Sequence, residues 1–103
     1  RGLTWYNGTK GTVMTFANSM AMELAPERVR VNAINPVFSA TGLTVDFMGG
    51  VDDPEIREKF IATIPLGRIS TPLDIANAAL FLTSDEAGLV TGLCMEVDGG
   101  RCT

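Results

Sequence analysis

The spacing of apolar residues near the start of the chain predicts a long helix over residues 6–25. Pro26 ends this helix, because the residue before a proline is disfavoured in the helical region of backbone space. The helix presents one apolar stripe along its length. The members of that stripe recur at helical spacing: Val13, Phe16, Ala17, Met20 and Leu24.

Two shorter helices are predicted in the second half of the chain. One follows Asp53, with Pro54 at the first helical position and Glu55 beside the positive end of the helix dipole. The other opens with Thr71 as N-cap and Asp74 in the reciprocal capping position. Apolar residues supply a buried face for each: Ile56, Phe60, Ile61 and Ile64 in the first, and Ile75, Ala78, Ala79 and Leu82 in the second.

Two segments have the composition of strands. Residues 28–35 alternate and then become apolar, which predicts a strand that Pro36 stops, and residues 93–97 predict a second strand before a turn at Asp98-Gly99-Gly100. Between the first strand and the next helix, residues 37–51 form an unusually apolar loop, as is typical of a pocket wall. Strands joined through helices favour parallel pairing in an α/β fold.

Composition narrows the classes of function. The chain has 103 residues and a net charge of −4, which argues against a nucleic-acid surface, and it has no histidine for a Ser-His-Asp or Cys-His site. Cys94 and Cys102 belong to no C-x-x-C pair, so we expect no metal site and a reduced, cytoplasmic protein. The sequence shows neither a membrane-spanning run nor a signal-peptide core, so we expect no membrane association.

Tyr6 and Lys10 are the first candidates for chemistry. Four residues apart, they lie on one helix face within reach of each other. A nearby ammonium favours the phenolate, so such a pair can give a proton to, or take one from, an alcohol or carbonyl oxygen. The same spacing also arises by chance in surface pairs without a catalytic role.

Six short motifs carry a family resemblance across almost the whole chain. In order they read YNGTK at 6–10, MAMELAP at 20–26, RVRVNAINP at 28–36, PLDIA at 72–76, FLTSD at 81–85 and VDGG at 97–100. Together they resemble the C-terminal part of a short-chain dehydrogenase/reductase, of the type found in bacterial glucose 1-dehydrogenases and 3-oxoacyl-[acyl-carrier-protein] reductases.

The resemblance implies an α/β fold in which residues 1–103 form the C-terminal portion of a Rossmann-like doubly wound parallel sheet, with two strands and three to four helices. It implies that Tyr6 is the acid/base at the substrate oxygen. Lys10 would hold the ribose hydroxyls of NAD or NADP and favour the Tyr6 phenolate. The family's Gly-rich dinucleotide-binding half and its catalytic serine have no counterpart in the chain.

The resemblance also assigns the residues after the first strand. The family's Pro-Gly-x-x-x-Thr segment beside the nicotinamide corresponds to cofactor-binding residues here, with valine in place of the usual glycine and serine in place of an Ile or Val. These residues are Pro36, Val37, Ser39 and Thr41. Three apolar residues of the following loop are expected to bind substrate: Phe38, Phe47 and Met48.

The resemblance therefore implies an oxidoreductase for a small alcohol or carbonyl substrate, a homo-oligomer (dimer or tetramer) in its complete form. We expect this chain to be an inactive C-terminal fragment whose first residue, Arg1, is a cut end, with the apolar stripe of the first helix left exposed. Two alternatives stay open. One is a non-catalytic interaction module that keeps the family's assembly surfaces. The other, which the VDGG ending disfavours, is a relative of nucleotide-sugar epimerases.

Overall fold

A computed structural model describes residues 2–37 and 53–102 of the chain. It contains, in order, helix α1 (Thr4–Leu24), strand β1 (Ala33–Pro36), helix α2 (Pro54–Ile61), helix α3 (Pro72–Thr83) and strand β2 (Cys94–Val97), with short 3-10 turns at Ala25–Glu27 and Asp85–Ala87. This order confirms the predicted succession of elements and the α/β class.

Helix α1 ends at Leu24, within one residue of its predicted end, and a 3-10 turn follows it. Pro26 lies inside the 3-10 turn that continues the helix, and the chain leaves that turn at Arg28, whose φ of 58° is left-handed. The backbone N–H of Arg28 donates to the Ala25 carbonyl at 2.9 Å and closes the turn. A left-handed residue with a side chain costs about 1–2 kcal/mol, so surrounding contacts must hold this exit in place.

Strand β1 is shorter than predicted, because residues 28–32 do not belong to it. The Arg30 guanidinium donates to the carbonyls of Leu82 at 2.6 Å and Ser84 at 3.2 Å, near the end of α3. A cation at a helix C-terminus is favoured by the unpaired carbonyls there. The N–H of Val31 donates to the Thr91 hydroxyl at 3.1 Å instead of to a strand. The predicted strand start at residue 28 was wrong, because Arg28 has a left-handed backbone and Val31 N bonds to a side chain rather than to a neighbouring strand.

The two strands pair in parallel. Gly92 N donates to the Val31 carbonyl and Ala33 N to the Leu93 carbonyl, both at 2.8 Å, and Val37 N donates to the Val97 carbonyl at 3.4 Å. Partners advance along both segments together, which defines a parallel ladder and confirms the prediction.

The chain divides into two compact units. The first comprises residues 1–34 and 80–95. Four of its apolar residues are buried, and three of them are alanines: Ala17, Ala21, Ala87 and Leu82. Three members of the predicted α1 stripe are exposed, namely Val13, Phe16 and Met20, as expected for an uncovered helix face, whereas Leu24 is half-buried.

The second unit comprises residues 35–79 and 96–103. Ile64 is buried in it, whereas Ile56 on α2 is exposed, so the predicted apolar face of α2 is only partly covered. Both predicted N-caps are present. Asp53 accepts from Glu55 N at 2.9 Å, and Thr71 N donates to Asp74 Oδ2 at 2.7 Å in a reciprocal box.

The turn after β2 requires glycine. Gly99 has a φ of 67°, and a Cβ added to it would lie 2.6 Å from Ile64 Cγ2. The carbonyl of the same residue accepts from Leu66 N at 3.1 Å. Both the backbone angle and the close approach exclude a side chain, which confirms the predicted glycine turn.

No helix in the described part of the chain is long and apolar enough to cross a membrane.

Gly67 and Gly99 form a matched pair for testing that turn. Both have a left-handed φ, but a Cβ on Gly67 would meet nothing within 4 Å. We expect Gly67→Ala to lower the free energy of local opening by about 1–2 kcal/mol and Gly99→Ala to lower it further, because of the contact with Ile64. Hydrogen exchange of the Leu66 and Cys102 amides measures both effects. Equal effects would contradict the steric explanation.

Candidate functional site

Helix α1 places Tyr6 and Lys10 on one face in its first two turns. The Lys10 ammonium lies over the Tyr6 ring, 5.4 Å from the ring centroid, at a distance typical of a cation–π contact. Tyr6 is 47% exposed, so its ring is reachable from solvent while the lysine covers part of it. The structure thus brings together the two residues that the sequence singled out.

The residues between and beside this pair leave it accessible. A Cβ on Gly8 would meet nothing within 4 Å, and the Thr9 hydroxyl donates to the Tyr6 carbonyl at 2.8 Å, so it bonds to the helix backbone. Trp5 is 87% exposed.

Lys10 forms no ion pair with any carboxylate of residues 2–37 and 53–102. An ammonium carries three N–H donors and no acceptor. Hydroxyl or carboxylate oxygens of a ligand could therefore accept hydrogen bonds from Lys10 without displacing a carboxylate of the described residues.

Pro36 and Val37 lie at the exit of β1 in the second unit. Val37 is half-buried and donates its N–H to the Val97 carbonyl at 3.4 Å. Among the described residues only Arg28 combines a side chain with a positive φ, so Val37 has backbone angles open to any L-residue. Valine at a position where the resemblance expects glycine therefore causes no left-handed strain.

The other predicted binding residues lie outside the described residues. They are Ser39 and Thr41 for the cofactor, and Phe38, Phe47 and Met48 for the substrate.

Sequence reasoning missed a polar cluster at the start of α3. Arg68 donates to both carboxylate oxygens of Asp74, each at 2.8 Å, in the bidentate geometry that guanidinium favours. This hydrogen bond, together with those from the N–H and hydroxyl of Thr71, holds the pKa of Asp74 well below its usual range. Only the capping role of Asp74 was visible in the sequence, since no spacing rule links positions 68 and 74.

An open pocket in the same unit is lined by Arg68, Asp74 and the turn after β2. Asp98 is 7% exposed, and its two oxygens accept from Gly100 N at 2.8 Å and Cys102 N at 2.7 Å. These bonds lower the pKa of Asp98, and the Asp98 carboxylate raises that of the Cys102 thiol. Three side chains here have atoms of the kind that ligate metals within 4.8 Å of one another: Glu96, Asp98 and Cys102. The backbone hydrogen bonds to Asp98 already explain its position.

Comparisons with known proteins give the family. A family model described as enoyl-(acyl carrier protein) reductase matches residues 1–101. The chain belongs to the short-chain dehydrogenase/reductase family. This agrees with the resemblance carried by the six sequence motifs.

Curated relatives and solved structures agree with that assignment. The chain is 48% identical over 100 residues to 4-formylbenzenesulfonate dehydrogenase of Comamonas testosteroni, covering 97% of this chain and 40% of that protein. It is 42% identical over 95 residues to a 3-oxoacyl-[acyl-carrier-protein] reductase of Aquifex aeolicus, covering 92% of this chain and 36% of that protein.

The crystal structure of 3-ketoacyl-(acyl-carrier-protein) reductase from Brucella melitensis complexed with NADH is 46% identical and superimposes with a TM-score of 0.88. That match covers 98% of this chain and 38% of the other. The chain thus spans about two fifths of the length of these relatives.

The Arg68–Asp74 pair predicts a defined pH dependence. We expect the Asp74 carboxyl to titrate below the ordinary aspartate pKa of about 3.9, and nearer to it in Arg68→Gln. Because the pKa of Asp74 is lowered in the folded state, the pair stabilises α3 at pH values above the ordinary aspartate pKa. This stabilisation is lost as the pH falls through the lowered pKa of Asp74. Carbon chemical shifts of the carboxyl measure the titration.

Arg57→Gln provides the control, because it removes an exposed guanidinium from α2 and leaves Arg68 in place. An Asp74 titration unchanged by Arg68→Gln would contradict the assigned cause.

Proposed function

We propose that this chain carries the acid–base pair of an NAD(P)-dependent oxidoreductase that interconverts an alcohol and a carbonyl compound. The observation that supports it most is the Lys10 ammonium over the half-exposed Tyr6 ring, in a chain of the short-chain dehydrogenase/reductase family.

Tyr6 performs the proton transfer in this proposal. During carbonyl reduction its hydroxyl donates a proton to the substrate oxygen, and during alcohol oxidation its phenolate accepts that proton. The Lys10 ammonium lies over the Tyr6 ring, so its positive charge is next to the group that transfers the proton. Tyr6 is 47% exposed, so the residue can be reached from solvent.

The residues present fit a nicotinamide cofactor. Lys10 offers N–H donors that no described carboxylate occupies, as needed to hold ribose hydroxyls. Pro36 and Val37, with Ser39 and Thr41, would contact the cofactor at the exit of β1. When bound, the nicotinamide supplies the hydride chemistry.

The 103 residues contain no G-x-G-x-x-G sequence to cradle a pyrophosphate. We therefore place residues 1–103 in the C-terminal part of one NAD(P)-binding Rossmann domain, with the dinucleotide-binding half outside these residues. The preference for NAD or NADP would belong to that half.

The substrate class in this proposal is a small alcohol or carbonyl compound, bound beside Phe38, Phe47 and Met48. The names of the relatives support a carbonyl, since one is a dehydrogenase of a formyl compound and others are oxoacyl or ketoacyl reductases. We further propose that the complete enzyme is a cytoplasmic homo-oligomer.

An interaction module is the second candidate. Large apolar side chains on α1 are exposed, among them Val13, Phe16 and Met22 at 79%. Exposed apolar surface of this kind marks protein–protein contacts. Tight pairing with a family member, without any binding of NADH or NADPH, would favour this alternative.

We expect the purified 103-residue chain to show no NADH- or NADPH-dependent carbonyl reduction, because it lacks a pyrophosphate cradle. Cofactor absorbance, followed with aldehyde and ketone substrates, measures this. Turnover by the purified chain that disappears on Tyr6→Phe would overturn the expectation of inactivity.

The role of Tyr6 is tested in a chimera. The dinucleotide-binding half of the Brucella melitensis reductase is joined to this chain, and NADH-dependent ketoacyl reduction is measured. We expect Tyr6→Phe to lower kcat at least about 100-fold while NADH binding persists, because only the proton transfer is removed.

Trp5→Phe is the matched control, since it changes an exposed aromatic residue next to Tyr6 and leaves the phenol in place. Full turnover in the Tyr6→Phe chimera would contradict the proposed function.

A further inference from the structure

Asn35 and Glu96 make a side-chain contact beside the proposed cofactor-binding exit of β1. Nδ2 of Asn35 donates to Oε1 of Glu96 at 3.0 Å. Asn35 immediately precedes Pro36 and Val37, and Glu96 immediately precedes Val97, whose carbonyl accepts from Val37 N at 3.4 Å. Two consecutive residues of β2 therefore hold the exit of β1.

The local charges favour this contact. A carboxylate oxygen of Glu96 lies within 4.8 Å of a carboxylate oxygen of Asp98. Two negative charges at such a distance repel each other. A bond to the neutral amide of Asn35 gives the Glu96 carboxylate a partner without adding charge. A hydrogen bond to an ionised acceptor is also stronger than one between neutral groups.

The backbone bond alone holds Val37 weakly. Its length of 3.4 Å exceeds the usual 2.7–3.2 Å range for N–H···O bonds. Asn35 is half-buried and Glu96 is exposed, so their hydrogen bond links the end of β1 to β2 at the surface of the unit. The end of β1 therefore has a side-chain link to β2 in addition to its long backbone bond.

We propose that Glu96 is a positioning residue for cofactor binding, acting through Asn35 on the Pro36–Val37 exit. This inference rests on the proposed function, because it takes Pro36 and Val37 as cofactor contacts. It assigns to Glu96 a role that neither the sequence motifs nor the family membership supplies.

Two substitutions of Glu96 distinguish the loss of the hydrogen-bond acceptor from the loss of the negative charge. Glu96→Gln keeps an amide oxygen that can accept from Asn35, whereas Glu96→Ala removes the acceptor. In the chimera we expect Glu96→Ala to raise the KM for NADH about three- to ten-fold with kcat unchanged, and Glu96→Gln to stay near the unsubstituted value. Asn35→Ala should produce the same rise, and the double variant should add nothing further.

Glu58→Ala serves as the control, because it removes an exposed carboxylate from α2. An unchanged KM for NADH in Glu96→Ala would overturn this inference, as would a fall in kcat alone or additive effects in the double variant. The proposed function would be contradicted by a different result, namely full turnover in the chimera carrying Tyr6→Phe.

The purified chain gives an independent readout. Glu96→Ala should shift the amide resonances of the Asn35 side chain and of Val37, and Glu96→Gln should largely restore them. Unchanged Val37 resonances in Glu96→Ala would overturn the positioning role whatever the chimera shows.

Discussion

Parallel pairing between residues 31–37 and 92–97 is the constraint on which the described structure depends. Each strand is only four residues long, and a pair of such strands is marginally stable by itself. Side chains reinforce the pairing at its start. Nδ2 of Asn32 donates to the Val90 carbonyl at 3.0 Å, and its Oδ1 accepts from Leu93 N at the same distance. Arg30 adds its bonds to the carbonyls near the end of α3.

The elements that sequence analysis predicted well depend on local chemistry. The N-caps Asp53 and Thr71 bind backbone groups two or three residues away, and Gly99 supplies a left-handed turn. In each case the partners lie close in the sequence, so residue type and spacing suffice.

The features that sequence analysis missed depend on partners distant in the chain or on side-chain geometry. Strand β1 starts late because Arg28 is left-handed and Val31 N bonds to the side chain of Thr91, sixty residues away in the sequence. At the candidate site, spacing alone predicted that Tyr6 and Lys10 share a helix face. Their proposed roles came from the family resemblance, since a Tyr–Lys pair carries no cofactor signature by itself.

One short helix segment joins the two proposed tasks of the site. The Lys10 ammonium lies over the ring of Tyr6, the proposed proton donor. In the proposal the same ammonium would also bind the ribose hydroxyls of the cofactor. If one ammonium serves both tasks, its removal must weaken both together. This coupling distinguishes a catalytic pair from an i,i+4 surface contact without a role in catalysis.

The most direct test is therefore a parallel measurement of NADH affinity and of kcat in the chimera carrying Lys10→Met. We expect both to fall together and Lys10→Arg, which keeps the charge, to retain more of each. Unchanged NADH affinity and unchanged kcat in Lys10→Met would contradict it.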